Sequence, residues 1–98
     1  MEKRSPHFKL AVVKTLVYAC KVRTTNAARV GASELGISLS DMLAVLTTLT
    51  PADFYKSMTT HADHRVWQDV YRPNTQWGDL YLKLTVIDDV LIVSCKGL

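Results

Sequence analysis

The sequence predicts an α+β domain in which N-terminal helices pack on one face of a C-terminal, twisted antiparallel β-sheet. In the first half of the chain, apolar residues recur at three- and four-residue spacing, which is the period of a helix. In the second half they alternate with polar residues, which is the period of a strand. Helices followed by strands favour an antiparallel sheet covered on one face. With 98 residues, the chain fits a single domain spanning residues 1–98.

The first helix is predicted over residues 6–20. Pro6 follows Ser5, and proline is favoured in the first turn of a helix because its missing N–H would have no partner there. Five apolar residues then line one side of the segment: Leu10, Val13, Leu16, Val17 and Cys20.

Two further helices are predicted by their capping residues. Residues 24–26 offer side-chain caps for the second helix, and Gly36 is expected to end it. Ser38, with Asp41 three residues later, matches a capping box at the start of the third helix. Residues 50–53 repeat that spacing and predict a single helical turn.

Four strands are predicted in the second half, over residues 54–60, 65–72, 79–87 and 90–96. The last two form a hairpin if Asp88 and Asp89 are its loop. The register that buries the apolar residues of both strands pairs Leu82 with Cys95, Leu84 with Val93 and Val86 with Leu91. A register slipped by two residues stays open, because Asp-Asp is not a favoured two-residue turn.

This hairpin register leaves a polar face on the side away from the helices. Tyr81 then lies opposite Lys96, with Cβ atoms about 5 Å apart, and Lys83 and Ser94 share the same face. Such a face suits a phosphodiester, because lysines neutralise a phosphate and an aromatic ring stacks on a base. The alternative is a solvated sheet face whose lysines discourage edge pairing.

The two other strands offer further polar residues for this face. Lys56 is predicted to share a face with Phe54 and Met58. Gln68 and Arg72 would lie on the same side of their strand as Val66 and Val70. Because that side carries both polar and apolar residues, the pattern leaves open whether it faces the helices or solvent.

Composition limits the class of protein. The net charge of +3 and the pI near 9 permit a polyanionic partner without requiring one. The sequence contains no run of about 18 apolar residues, so no membrane span is predicted. The charged N-terminus lacks the apolar core of a signal peptide. We therefore expect a cytoplasmic protein with no membrane contact. Cys20 and Cys95 are expected to be buried as small apolar residues rather than to form a disulfide.

Other kinds of site find little support in the sequence. His61 and His64 have a spacing seen in some zinc sites, but no cysteine pair accompanies them, so a surface loop is the favoured interpretation. The four glycines are isolated, so no phosphate-binding loop is predicted. Asp88 and Asp89 are better explained as a turn than as paired catalytic carboxylates.

Several blocks of the sequence resemble the MqsR toxins. They are DFYKSMTT at residues 53–60, the pair Asp63–His64, and WQDVYRP at residues 67–73; the start MEKRSPH and the end YLKLTVIDDVLIVSCK are similar too. The resemblance covers essentially the whole chain and is weakest between about residues 26 and 50. It implies a RelE-like fold, with three helices on a twisted antiparallel sheet, which agrees with the element order predicted above.

The resemblance also implies an activity and a set of site residues. The family's endoribonucleases cut free single-stranded mRNA, at GC-containing sites such as GCU, without requiring the ribosome. Their catalytic positions match Lys56, Gln68, Tyr81 and Lys96 in this sequence. Neighbouring positions of their site match Tyr55, Met58 and Arg72, which, with Lys83 of the open face, are the predicted RNA-binding residues.

A mechanism can be stated as a hypothesis on these residues. The RNA carries its own nucleophile, so we expect no metal or other cofactor. Lys56 is the candidate general base or proton relay, with a pKa expected to be lowered by Lys96 and Arg72 nearby, although the sequence does not decide which lysine moves the proton. Lys96 and Arg72 would stabilise the transition-state charge. Tyr81 would donate to a phosphate oxygen or stack on a base, and Gln68 would orient the 2′-hydroxyl or read a base edge.

The resemblance further implies a partner, an antitoxin of the MqsA kind that binds zinc and DNA. We expect this chain to reach DNA only through that partner. Three other classes stay open: a non-catalytic RNA-binding or transcription-regulating module, a protein whose cations meet an acidic partner surface, and a toxin that cuts only on the ribosome.

Overall fold

The computed structural model describes residues 1–98 and confirms the α+β class. Its elements, in chain order, are β1 (Glu2–Lys3), α1 (Leu10–Tyr18), β2 (Val22–Thr24), α2 (Asn26–Glu34), α3 (Leu39–Thr48), a 3₁₀ turn (Pro51–Asp53), β3 (Phe54–Thr59), β4 (Trp67–Tyr71), β5 (Asn74–Thr75), β6 (Gly78–Ile87) and β7 (Asp89–Gly97). The three predicted helices and four predicted strands are all present.

The sheet runs in the order β1-β3-β4-β6-β7-β2, and the short β5 pairs with one end of β6. Neighbouring strands are antiparallel except β2, which lies parallel to β7. Both edge strands therefore come from the first half of the chain. The sequence did not predict them, because two or three residues are too few for an alternation to be recognised.

The caps of α2 and α3 are those that the sequence predicts. The Thr25 hydroxyl accepts a hydrogen bond from the Ala28 amide at 3.0 Å. In α3, Ser38 and Asp41 each accept from the other's backbone amide, at 3.1 and 3.0 Å, which completes the capping box. Gly36 follows α2 with φ +77°, a conformation that favours glycine.

The predicted start of the first helix is wrong. Helix α1 begins at Leu10 rather than after Pro6. The amides of His7 and Phe8 instead donate to the carboxylate of Asp69, at 3.1 and 3.0 Å. Asp69 is completely buried, so residues 7 and 8 serve as its hydrogen-bond donors and are held outside the helix.

The core lies between the three helices and one face of the sheet. Sixteen buried residues form it: Val13, Val17, Ala28, Ala32, Ile37, Met42, Val45, Leu46, Leu49, Tyr71, Leu80, Leu82, Leu84, Val90, Ile92 and Cys95. Cys95 is buried as expected, whereas Cys20 is exposed just beyond the end of α1, against the prediction that it is buried. Both cysteines are free.

The predicted register of the β6–β7 hairpin is correct at one end and wrong at the other. Leu82 does pair with Cys95. Beyond that pair the register shifts at a β-bulge, so Leu84 lies opposite Ile92 rather than Val93, and Val86 opposite Val90 rather than Leu91. Val90 and Ile92 are consequently buried in place of Leu91 and Val93. The extra residue that a bulge inserts reverses the side-chain alternation on one strand, and nothing in the sequence marks its position.

No single helix in the structure is long and apolar enough to span a membrane, although α2 and α3 taken together across a 94° bend would be by length and composition alone.

Candidate active site on the open face of the sheet

The face of the sheet opposite the helices carries a row of side chains across four strands. In that row Lys56 lies opposite Val70, Val70 opposite Lys83, and Lys83 opposite Ser94. Since neighbouring strands are about 4.8 Å apart, Lys56 and Lys83 stand about 10 Å apart at the backbone, on either side of Val70. Val70 is fully buried yet lies outside the core cluster, so it is an apolar floor between two lysines.

A second row lies beside the first, nearer the end of β7. Tyr81 lies directly opposite Lys96, as the sequence predicts. The Lys96 Nζ is 5.1 Å from the centroid of the Tyr81 ring, and the Lys83 Nζ is 5.9 Å from it. One phenol ring therefore has two lysine ammonium groups near it, which is a cation–π arrangement.

Gln68 extends the open face on the other side of the lysine row. It lies opposite Met58 on β3 and has the same parity as Val70, so its side chain shares the open face. The structure thereby resolves the direction that the sequence pattern left open. All four candidate catalytic residues, Lys56, Gln68, Tyr81 and Lys96, lie on this face.

Tyr55 reaches the same region through an irregularity in β3. The register shifts between Phe54 and Lys56, so these two residues do not share a face as predicted. Phe54 packs against the core and makes an edge contact with Tyr71 at 5.6 Å between ring centroids. The ring of Tyr55 instead makes cation–π contacts, with the Arg72 guanidinium carbon 4.7 Å from its centroid.

A shallow pocket of about 290 Å³ adjoins the Tyr55 ring. It is lined by Ala52, Asp53, Phe54, Tyr55, Arg72, Asp79 and Leu98. The pocket lies next to the lysine row, because the Lys56 Nζ is 5.5 Å from the centroid of the same tyrosine ring. A nucleobase is the kind of flat group that an aromatic ring and a guanidinium bind by stacking.

The N-terminal strand adds two charged residues that the sequence reasoning missed. Glu2 lies opposite Met58, and its carboxylate accepts a hydrogen bond from the Lys56 Nζ at 2.7 Å. Arg4 lies 5.5 Å from the centroid of the Tyr55 ring. No sequence signal could have found them, because their position depends on the two-residue strand β1.

This contact reverses the expected electrostatics of Lys56. The hydrogen bond to Glu2 raises the pKa of the Lys56 ammonium group, and the charge of Glu2 acts in the same direction. The expectation that Lys96 and Arg72 lower this pKa is therefore wrong, since a carboxylate at 2.7 Å outweighs more distant cations. Lys56 is held in its protonated form.

Lys83 has the opposite environment. It is half-buried in the centre of the sheet, and it makes no salt bridge. Burial lowers the pKa of its ammonium group, and the positive charges of Lys96 and Lys56 lower it further. Two lysines on one sheet face thus have pKa values displaced in opposite directions, a separation that acid–base catalysis requires.

The histidines stand apart from this face. His61 and His64 are exposed in the loop between β3 and β4, which confirms the surface-loop interpretation. His7 stacks on Trp67 at 5.2 Å between ring centroids, and Lys3 lies over the same indole at 4.2 Å. No group of three or more histidine, cysteine, aspartate or glutamate side chains is placed to hold a metal ion.

Nearly the whole chain is similar to known proteins. A family described as "Motility quorum-sensing regulator, toxin of MqsA" matches residues 5–97. The chain belongs to the MqsR toxin family. It is also 57% identical over 96 residues to a protein of Escherichia coli (strain K12) named mRNA interferase toxin MqsR, and the match covers 98% of each chain.

Proposed function

We propose that this MqsR-family chain is an endoribonuclease toxin that cleaves single-stranded mRNA through the open face of its sheet. The observation that carries the proposal is the group of Lys56, Lys83, Lys96 and Tyr81 on one face, which offers cations to a phosphate and a ring to a base. The E. coli relative is named an mRNA interferase, which supports the same activity here. GC-containing sequences such as GCU are the expected cleavage sites.

The chemistry that this face serves is transesterification by the RNA itself. The 2′-hydroxyl attacks the adjacent phosphorus as its proton is removed, and the 5′-oxygen leaves as it gains a proton. The products are a 2′,3′-cyclic phosphate and a 5′-hydroxyl. Because lysines and an arginine supply the positive charge that the phosphorane needs, the proposal requires no metal ion and no other cofactor.

Each residue of the face then has a proposed role. Lys96 and Arg72 stabilise the charge on the phosphate oxygens, and Lys56, held protonated by Glu2, suits the same role or the donation of a proton. The Tyr81 hydroxyl donates to a phosphate oxygen or its ring stacks on a base.

The remaining residues contact the RNA on either side. The Gln68 amide orients the 2′-hydroxyl or reads a base edge. Tyr55 and Met58 flank Lys56 on β3 and provide surface for neighbouring nucleotides.

An antitoxin partner completes the proposal. The matching family is described as the toxin of MqsA, so we propose that an MqsA-type, zinc-binding antitoxin neutralises this chain. DNA is reached only through that partner, and the toxin acts on free mRNA in the cytoplasm.

The deciding experiment incubates the purified chain with a long single-stranded RNA in EDTA, without ribosomes. A Lys56→Ala/Lys96→Ala double variant runs beside it as the matched control. We expect fragments with 5′-hydroxyl ends from the unmodified chain alone.

The other outcomes are equally informative. Intact RNA in both samples would contradict ribosome-independent cleavage and favour cutting on the ribosome or a binding module. Equal cleavage in both samples would mean that the activity does not belong to this face.

A further inference from the structure

We propose that Lys83 is the general base, which takes the proton of the 2′-hydroxyl as that oxygen attacks phosphorus. The proposal rests on the proposed ribonuclease function and gives to Lys83 the step for which Lys56 was the candidate in the mechanism predicted from the sequence. The bond from the 2′-oxygen to phosphorus forms, the bond from phosphorus to the 5′-oxygen breaks, and the leaving oxygen takes a proton from the Lys56 ammonium group. Solvent then restores both lysines to their starting forms.

The first support is the position of Lys83 within the sheet. It stands on β6, with Val70 of β4 on one side and Ser94 of β7 on the other. Val70 is fully buried, so the amine rises from an apolar floor rather than from open water. Lys96, by contrast, is exposed near the end of β7.

The second support is the set of charges that face Lys83. From β3 it faces Lys56, from β6 it faces Tyr81, and from β7 it faces Lys96; the β4 residues on this side, Val70 and Gln68, do not ionise. Of the two carboxylates on this side of the sheet, Glu2 is bound to Lys56, and Asp79, four residues before Lys83 on β6, accepts a hydrogen bond from the Asn74 amide at 2.7 Å. Lys83 has no salt bridge, and its pKa is lowered by burial and further by its positive neighbours, whereas the hydrogen bond to Glu2 raises the pKa of Lys56.

The third support is the placement of the two lysines on opposite sides of one position. They flank Val70 from opposite sides, about 10 Å apart at the backbone. A phosphate above Val70 would place its attacking oxygen toward one lysine and its leaving oxygen toward the other. The amine that loses its proton more readily is then the base, and the amine kept protonated is the acid.

The test compares Lys83→Arg with Lys96→Arg in the full chain, using cleavage of a short RNA to obtain kcat and binding of its 2′-O-methyl analogue to obtain Kd. An arginine keeps the positive charge but does not accept a proton near neutral pH. We expect Lys83→Arg to lower kcat about 10²–10⁴-fold with little change in Kd, and Lys96→Arg to lose much less. Thermal unfolding of both variants checks that they fold.

A pH profile separates Lys83 from Lys56. The activity of the unmodified chain should rise with pH as the base loses its proton. Glu2→Gln removes the partner that raises the pKa of Lys56 and leaves the neighbours of Lys83 in place. The acidic limb of the kcat/KM profile should therefore stay where it is.

Two results would overturn the assignment. One is a Lys83→Arg chain with nearly unmodified kcat. The other is a limb that moves to lower pH in Glu2→Gln, which would make Lys56 the base. Failure of the unmodified chain to cut RNA is a different result, because it would reject the proposed function itself.

Discussion

The three lysines of the open face show how neighbours decide what a side chain can do. Lys56 is bound to Glu2 and its side chain is only 19% exposed. Lys83 is half-buried among cations, and Lys96 lies near the rim of the face beside the Tyr81 ring. The sequence identified Lys56 and Lys96 as site residues through their resemblance to a family. It could not rank the lysines by acidity, because Glu2 reaches Lys56 across 54 positions of the chain.

Removing the rim lysine should slow cleavage strongly. Lys96→Ala takes away a cation that would stabilise the phosphorane, and we expect a loss of about 10²-fold or more in kcat. Single-turnover cleavage of a defined RNA measures it. Lys9→Ala is the control, because Lys9 is exposed at the start of α1 and away from the open face. A Lys96→Ala chain that cuts at a nearly normal rate would remove Lys96 from the site.

At the scale of single elements, the sequence predicted regular structure well and its interruptions poorly. Helix caps are local, so the starts of α2 and α3 were predicted correctly from Thr25, Ser38 and Asp41. The bulges in β3 and β7 appear only in the pairing of each strand with its neighbour, which no local pattern encodes. At the β7 bulge the Thr25 hydroxyl donates to the carbonyl of Val93 at 2.8 Å, a contact across 68 positions. The predicted faces of Phe54 and Val93 were wrong because both residues lie at these bulges.

The capping box of α3 offers a test of the local part. Ser38→Ala removes the hydroxyl that accepts from the Asp41 amide, and should destabilise the domain by about 0.5–2 kcal/mol. Urea unfolding gives the change in free energy. Ser40→Ala is the matched control, since Ser40 is exposed two positions later in the same helix and makes no side-chain hydrogen bond. Equal stability of the two variants would show that the cap contributes little.

The packing of α2 on β7 gives a second test, with a sign opposite to helix propensity. Alanine favours a helix over glycine by about 1 kcal/mol, yet Gly31→Ala should destabilise the chain. A Cβ atom on Gly31 would overlap the backbone carbonyl of Cys95, which cannot move without disturbing β7. We expect a net loss of about 1–3 kcal/mol in urea unfolding, against almost none for Ser33→Ala on the exposed side. A stabilised Gly31→Ala chain would mean that α2 can lift from the sheet.

At the scale of the whole molecule, the modest net charge of +3 conceals an uneven distribution. Arg72, Lys83 and Lys96 have no salt bridge, whereas Arg23 and Arg65 are paired with nearby aspartates. Three cations without a salt bridge, together with Lys56, thus stand on the open face. A sequence shows how many charges a chain has, but only the sheet order shows which of them converge.

The salt dependence of RNA binding measures how many cations of the open face contact phosphates. For three or four phosphate contacts, the logarithm of the association constant for 2′-O-methyl RNA should fall with the logarithm of the salt concentration with a slope of about −2 to −3. Arg72→Gln should make this slope shallower by about one contact, and Lys9→Gln should leave it unchanged. An affinity for 2′-O-methyl RNA that does not change with salt concentration would contradict an electrostatic RNA interface and favour a different partner.

The place of β7 in the sheet also determines when the domain can fold during synthesis. Among the strands of the sheet, β7 comes last along the chain, yet it lies between β6 and β2 and supplies Val90, Ile92 and Cys95 to the core. A nascent chain that still lacks β7 has no partner for β2 and an open core, so folding waits until β7 has been synthesised. Lys96 arrives with the same strand. The open face of the sheet is therefore complete only after every other strand of the fold has been made.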